Sequence, residues 1–177
     1  MRRLMLALAV PVLSAFCQEV PKTAEPSDAA SYTFVQESKA KSDPLLNASA
    51  AFLEKNNVIF LATYDGQSPR VRPLRYTAFI DNKLAIATSV KKELSLQMAK
   101  DPHVEVSAVS ADGSSFFRYK GKAVVCADAG FKAKFLAGHP KYQKLYGENF
   151  ALYLIEPEMV GLFPLKGGQA KTKTYAP

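Results

Sequence analysis

Donor groups for an anion gather between residues 70 and 92 of this 177-residue chain. Arg70 and Arg72 are two positions apart in a strand-like run, and successive strand side chains point to opposite faces. Both guanidinium groups therefore project from one face, with Val71 and Pro73 on the other. The remaining donors of the stretch are Thr88, Ser89, Lys91 and Lys92. Because guanidinium, hydroxyl and ammonium groups together bind a phosphate monoester, these residues predict a phosphate site.

Three predicted strands must position these donors. The apolar run from Val58 to Tyr64 ends at Asp65-Gly66, a dipeptide typical of a tight hairpin because glycine tolerates positive φ. A second strand is predicted over residues 69–79, and a turn at Asp81-Asn82 leads into a third over residues 83–88. The arginines thus lie on the second strand, and the hydroxyl pair follows the third.

A helix is predicted over residues 90–100, with Ser89 as its N-cap. This places Lys91 and Lys92 in the first turn, where the helix macrodipole disfavours each cation by about 0.3–1 kcal/mol. A bound anion removes that conflict, and the free N–H groups of a helix N-terminus also bind phosphate. Gln97 of this helix is either a surface amide or a residue that approaches the ligand, and the surface is the expected position. The residues alone leave an alternative open, in which the lysines are solvated surface charge and the arginines an exposed strand face.

The second half of the chain predicts further strands. Residues 115–127 indicate one long strand with a bend at Gly121, and residues 150–155 and 159–163 indicate two closing strands. Hydrophobic residues make up 48% of the chain, which is enough for one domain with a buried core.

Four segments carry a resemblance to a known family. They are FLATYDGQSPRVRP, IATSVKK, LQMAKDPHVEVSA and FFRYKGKAVV. In this order and spacing they resemble the blocks of the pyridoxamine 5'-phosphate oxidase-like flavoproteins, over residues 51–165. The resemblance implies a mainly β fold with flanking helices, a six-stranded antiparallel split β-barrel that binds FMN.

The resemblance also implies a site, a cofactor and a partner. Carried over by position, the residues for the FMN phosphate are Arg72, Thr88, Ser89, Lys91 and Lys92. Arg70 and Leu74 would lie beside the flavin, and Arg118 would approach it from a later strand. In this family the protein is a homodimer with FMN at the subunit interface. Phe117 stands where many relatives have Trp.

The N-terminus predicts export. Arg2-Arg3 and the apolar run that follows indicate a signal peptide over residues 1–17 and a periplasmic protein. Cys17 leaves open a second form, a lipoprotein anchored to the membrane through that cysteine. Residues 18–42 are rich in Ala, Ser, Pro, Lys and Glu and indicate a flexible linker. The domain then spans residues 43–165, and residues 166–177 are expected to form a flexible tail.

Other function classes have weak support in the sequence. The chain has two histidines, His103 and His139, and neither has clustered Cys or His partners, so no metal or hydrolytic site is indicated. The formal charge is +7, but the aromatic residues are not interleaved with a basic stripe, and nucleic acid is not an expected partner. Any catalysis would then belong to a cofactor. The sequence favours an exported FMN-dependent oxidoreductase, a flavin-dependent reductase or an electron-transfer protein. The alternative is a non-catalytic module that binds flavin, haem or another small ligand.

Overall fold

The structure is a computed structural model that describes residues 43–175. Strands are the most frequent regular element in this range. The predicted signal peptide, the linker and Cys17 lie outside this range. The helices are α1 (Pro44–Lys55), α2 (Glu93–Lys100), α3 (Ala129–Gly138) and α4 (Pro140–Tyr146), and a 3-10 turn follows at Gly147–Asn149. The strands are β1 (Val58–Tyr64), β2 (Pro69–Arg75), β3 (Ala78–Ile80), β4 (Lys83–Ser89), β5 (His103–Val109), β6 (Ser115–Val125), β7 (Phe150–Pro164) and β8 (Lys171–Thr174).

These strands form one antiparallel sheet in the order β2-β1-β5-β6-β7-β4-β3, with β8 on the edge of β7. Helix α2 contacts both β1 and β4, which stand near opposite ends of that order. The sheet must therefore curl until its two ends approach each other under α2. This confirms the predicted mainly β split barrel with flanking helices. The described residues form eight strands, not six. The second predicted strand is divided into β2 and β3, and the C-terminal segment adds β8.

The division of the second strand has a simple cause. Arg75 is the cross-strand partner of Val58, the first residue of β1, so beyond it β1 offers no further partner. Tyr76 donates its N–H to the carbonyl of Asn57 (2.8 Å), and the chain then leaves β1. Strand β3 pairs instead with β4, across a turn in which Asp81 and Asn82 adopt φ of 47° and 65°. The predicted turn residues are thus confirmed, and the continuous strand over residues 69–79 is corrected.

The barrel interior is filled by alternate strand residues. Fully buried side chains from β1, β4, β5, β6 and β7 meet there, among them Leu61, Leu84, Phe117 and Tyr119. Helix α1 covers one end, where Phe52 stacks on Phe117 with 6.4 Å between ring centroids. A second apolar cluster packs α3 and α4 on the outer face of β4 and β7. None of the helices between residues 43 and 175 is long and apolar enough to cross a membrane.

Gly121 marks a bulge between β6 and β7. The register shifts between Lys120 and Gly121, so that β7 continues unbroken through Pro157. The two closing strands predicted from the sequence are therefore one strand. A Cβ atom built on Gly121 would lie 2.0 Å from the carbonyl oxygen of Glu156, so only glycine fits there without a shift of the backbone.

The C-terminal segment forms a strand where a flexible tail was expected. Beyond β8, the Tyr175 hydroxyl donates a 2.8 Å hydrogen bond to Asp43 Oδ2, and the Lys173 ammonium binds the same oxygen. The Asp43 carboxylate also accepts the N–H groups of Leu45 and Leu46 and so caps the N-terminus of α1. Burial by itself would raise the pKa of Asp43, but these hydrogen bonds outweigh burial and lower the pKa. Strand β8 pairs with β7, and Lys173 and Tyr175 bind Asp43. The prediction of a flexible tail is therefore corrected for residues 171–175.

Candidate anion-binding site at the start of helix α2

The arginine face of β2 continues the inner face of β1. The cross-strand pairs are Ile59 with Leu74, Leu61 with Arg72 and Thr63 with Arg70. Since directly paired residues project to the same side of a sheet, Arg70, Arg72 and Leu74 share the side on which β1 buries its core residues. The prediction that Arg70 and Arg72 share one face is confirmed. Leu74 is half-buried and packs against the core of the barrel.

Arg72 is the most enclosed cation of the predicted set, with 25% of its side chain exposed. Its Nη1 atom donates to Thr63 Oγ1 (3.0 Å) and to Gln97 Oε1 (2.9 Å). Its Nη2 atom lies 3.4 Å from Glu93 Oε2, a longer contact with a carboxylate that is 82% exposed. Strand β2 and the first turn of α2 therefore meet at this guanidinium.

Gln97 is buried, and its expected place on the helix surface is wrong. It lies three residues after Leu94 and one before Met98, and all three side chains face the core. Positions i, i+3 and i+4 share one side of a helix, so this spacing was the signal that could have placed Gln97 inward. Thr63, near the C-terminal end of β1, was also absent from the predicted site. Its buried hydroxyl donates to Gln97 Oε1 over 2.7 Å.

The start of α2 also differs from the prediction. Helix α2 begins at Glu93, with Lys92 as its N-cap and no side-chain cap. Ser89 does not cap it, because its Oγ accepts the N–H of Lys91 (3.2 Å) and its carbonyl accepts the N–H of Lys92 (3.1 Å). Lys91 and Lys92 thus lie in a turn that precedes the helix, outside its first turn. The uncapped N–H groups of α2 still point toward this turn.

The other predicted donors lie around this uncapped end. Thr88 is buried on the same face of β4 as Leu84 and Ile86, whose side chains fill the barrel interior. Ser89, also buried, has the opposite orientation by strand alternation. Lys91 and Lys92 are exposed. The Lys92 ammonium lies 3.5 Å from the Tyr146 hydroxyl and 4.9 Å from the centre of that ring.

Arg70 lies farther out along the same strand. Its Nε donates to Asp65 Oδ2 over 2.6 Å, and 55% of its side chain is exposed. Hydrogen bonds from the N–H groups of Ser68 and Gln67, and then from Arg70, lower the pKa of Asp65 to about 2. A polar cavity of about 370 Å³ separates this hairpin from α2, and Gln97 and Lys100 line its helix side.

Arg118 lies away from the other predicted site residues of the same chain. It lies on β6 between the inward-facing Phe117 and Tyr119, and its cross-strand neighbours are Ser107 and Gly161. It therefore projects from the outer face of the sheet, where its guanidinium is paired with Glu105. Arg72 projects from the inner face, so the two arginines of one chain lie on opposite sides.

The chemistry of these groups is that of anion binding. No group of three or more Cys, His, Asp or Glu residues that could hold a metal ion occurs within residues 43–175. The free thiol of Cys126 is buried among apolar side chains, and burial raises its pKa, so it is not an activated nucleophile. The arrangement offers a guanidinium held by hydrogen bonds, hydroxyl groups, two exposed ammonium groups and the start of a helix that has no side-chain cap. These donors fit a phosphate ester.

The fold and the site define a class, the antiparallel split barrel with cationic donors where a strand meets a helix. The profile of the pyridoxamine 5'-phosphate oxidase family matches residues 45–163, which is most of the chain. The chain belongs to this family, and the resemblance stated from the sequence is confirmed. No curated protein matches the chain.

Solved structures share the fold. A NimC/NimA family protein from Clostridium acetobutylicum is 25% identical, with a TM-score of 0.66 over 75% of this chain and 93% of that one. An FMN-binding protein related to pyridoxamine 5'-phosphate oxidase, from Nostoc punctiforme, is 19% identical, with a TM-score of 0.59 over 78% of this chain and 100% of that one. A haem-binding protein from Mycobacterium smegmatis is 19% identical, with a TM-score of 0.58 over 73% of this chain and 57% of that one.

Proposed function

We propose that this protein binds FMN and acts as a flavin-dependent oxidoreductase, either a reductase or an electron-transfer protein. The observation that carries the proposal is the largely buried Arg72 guanidinium, held at the uncapped start of α2. A positive group enclosed in this way favours an anionic ligand, since the helix macrodipole adds positive potential at the same place. The FMN-binding relative supports flavin as the source of that anion.

Each donor has a defined part in the proposed site. Arg72 would bind the phosphate through a guanidinium edge, and Thr88 would donate from its hydroxyl at the end of β4. Ser89 shapes the turn by accepting the Lys91 N–H. Lys91 and Lys92 would add positive charge from the solvent side. The bound flavin supplies the hydride or electron transfer, while Arg70 and Leu74 line the adjoining face of β2.

A second ligand, haem, is favoured by one observation, the haem-binding relative from Mycobacterium smegmatis. The scarcity of histidine argues for flavin. His103 is bound to the Asp101 carboxylate at 2.8 Å, and His139 stacks on Phe135. Neither imidazole is free to become an axial ligand without losing these contacts.

The absorption spectrum of the purified protein separates the two ligands. We expect flavin bands near the positions of free FMN, with phosphate-containing flavin released on denaturation. A haem Soret band in their place would support the non-catalytic alternative. Reduction of the bound flavin by NADH or NADPH would then support an oxidoreductase, and a flavin that neither nucleotide reduces would argue against a nicotinamide-dependent reductase.

We also propose that the protein is a homodimer with FMN at the subunit interface. The outer face of β1 and β2 exposes apolar side chains that a monomer would leave in water, with Val71 63% and Phe60 44% exposed. Arg118 projects from the same face, since Phe60, Ser107 and Arg118 are successive cross-strand neighbours. In a dimer formed through this face, Arg118 of each subunit would lie in the interface.

A charge placed on this face tests the dimer. We expect Phe60→Asp to shift the protein from dimer to monomer in light scattering and to weaken FMN binding, because a buried carboxylate is costly in an apolar interface. Val125→Asp is the matched control, since Val125 is 54% exposed at the far end of β6. A wild-type protein that is monomeric at micromolar concentration would contradict the proposal.

Export rests on the sequence alone. We propose that residues 1–17 direct the protein to the periplasm, with lipidation at Cys17 as the alternative. Mass spectrometry of the mature protein distinguishes cleavage after residue 17 from a chain that begins with an acylated Cys17.

A further inference from the structure

Gln97 and Thr63 fix the orientation of the Arg72 guanidinium. An arginine side chain has only donors, so the amide group of Gln97 must turn its oxygen toward Arg72. The Thr63 hydroxyl donates to that same oxygen over 2.7 Å and accepts from Arg72 Nη1 over 3.0 Å. The three side chains thus form a closed set of hydrogen bonds, in which Thr63 and Gln97 are both buried.

These hydrogen bonds use Nη1 of the guanidinium and leave Nε and Nη2 for other partners. Nη1 donates to both Thr63 Oγ1 and Gln97 Oε1. Nε of Arg72 has no partner within residues 43–175, and Nη2 has the 3.4 Å contact with the exposed Glu93 carboxylate. The Nε and Nη2 protons are parallel, and this edge is the one that binds two oxygens of an oxyanion at once.

We infer that Gln97, together with Thr63, is a positioning residue that presents the Nε–Nη2 edge of Arg72 to the phosphate and so makes the protein prefer FMN to riboflavin. This inference rests on the proposed function. Gln97 acts through Arg72 and does not touch the flavin itself. Two buried neutral acceptors suit this task, because they hold the guanidinium without cancelling its charge. A carboxylate at position 97 would bind the guanidinium more strongly and repel the phosphate.

The test is a double-mutant cycle on flavin affinity. Gln97→Met keeps the length of the side chain and removes the acceptor, and Gln143→Met, on the exposed side of α4, is the matched control. We expect Gln97→Met to weaken FMN binding about tenfold and to leave riboflavin binding within about twofold. In the Arg72→Ala background, Gln97→Met should change FMN affinity by less than about twofold, because its effect passes through Arg72.

Thr63→Val keeps the test decisive if Gln97→Met does not fold. We expect it to weaken FMN several-fold, with riboflavin again unchanged, and Gln97→Glu to weaken FMN more than Gln97→Met does. An equal loss of FMN and riboflavin, or an equal effect with and without Arg72, would overturn the inference while the flavoprotein assignment stands. A wild-type protein that binds neither FMN nor riboflavin would overturn the proposed function, and this inference with it.

Discussion

Replacing Arg72 and Lys92 together by alanine should abolish FMN binding at micromolar concentration. Arg72 offers a fixed pair of donors and Lys92 a second positive charge, and hydrogen bonds to charged groups contribute about 1.5–3 kcal/mol each. The combined loss corresponds to at least about 100-fold in affinity. Fluorescence titration of the apoprotein with FMN measures it directly.

The control for this double variant lies on helices away from the site and from the proposed interface. Lys55 is exposed at the end of α1, and Lys134 is exposed on α3. The Lys55→Ala, Lys134→Ala variant removes the same charge, so it separates a specific phosphate contact from a general loss of positive potential. We expect it to retain FMN affinity within about threefold, since exposed charges are screened by salt. Equal losses in both variants would mean that Arg72 and Lys92 do not contact the phosphate.

Gly121→Ala should destabilise the protein by about 3 kcal/mol or more, the upper part of the range for overpacking. The new Cβ would lie 2.0 Å from the Glu156 carbonyl oxygen and 3.0 Å from Ile155 Cγ2. This carbonyl lies where β7 pairs with β6, so it cannot move without disturbing that pairing. Urea denaturation followed by circular dichroism measures the change in the free energy of unfolding.

The matched control is Gly138→Ala at the end of α3, where an added Cβ meets no atom within 4 Å. Its free energy of unfolding should stay within about 0.5 kcal/mol of wild type. A Gly121→Ala protein as stable as this control would show that the bulge is not constrained as the geometry indicates.

Turns and strand faces could be predicted because they are local. Gly66 has φ of 100°, and Asp81 and Asn82 also have positive φ, which is what their residue types favour in tight turns. Alternation along β2 was enough to put Arg70 and Arg72 on one face. The family resemblance supplied the order of the elements, which no local rule provides.

The helix start was missed because two signals compete at Ser89. A serine before an apolar run is a common N-cap, but here its hydroxyl accepts the N–H of Lys91 and a turn forms first. Sequence alone could not decide between these hydrogen bonds. The burial of Gln97 is a tertiary effect, since only the approach of β1 and β2 gives its amide the partners that offset the cost of desolvation.

The break after Arg75 also depends on distant residues. The run over residues 69–79 is continuous in strand propensity, yet its two halves pair with strands at opposite ends of the sheet. The lengths of β1 and β4 decide where the chain crosses, and those lengths are set by the closure of the barrel. The same closure brings the end of β4 and the start of α2 to Arg72. The sequence could therefore predict which residues form the site, but not how they are arranged in space.

The central claim is that the ester phosphate of a flavin binds where Arg72 meets the start of α2. Parallel titrations of the wild-type apoprotein with FMN and with riboflavin test it most directly, because these ligands differ by that phosphate alone. We predict one FMN bound per chain, with an affinity at least about 100-fold above that for riboflavin. Equal affinity for the two flavins, or a protein that binds neither, would contradict the claim.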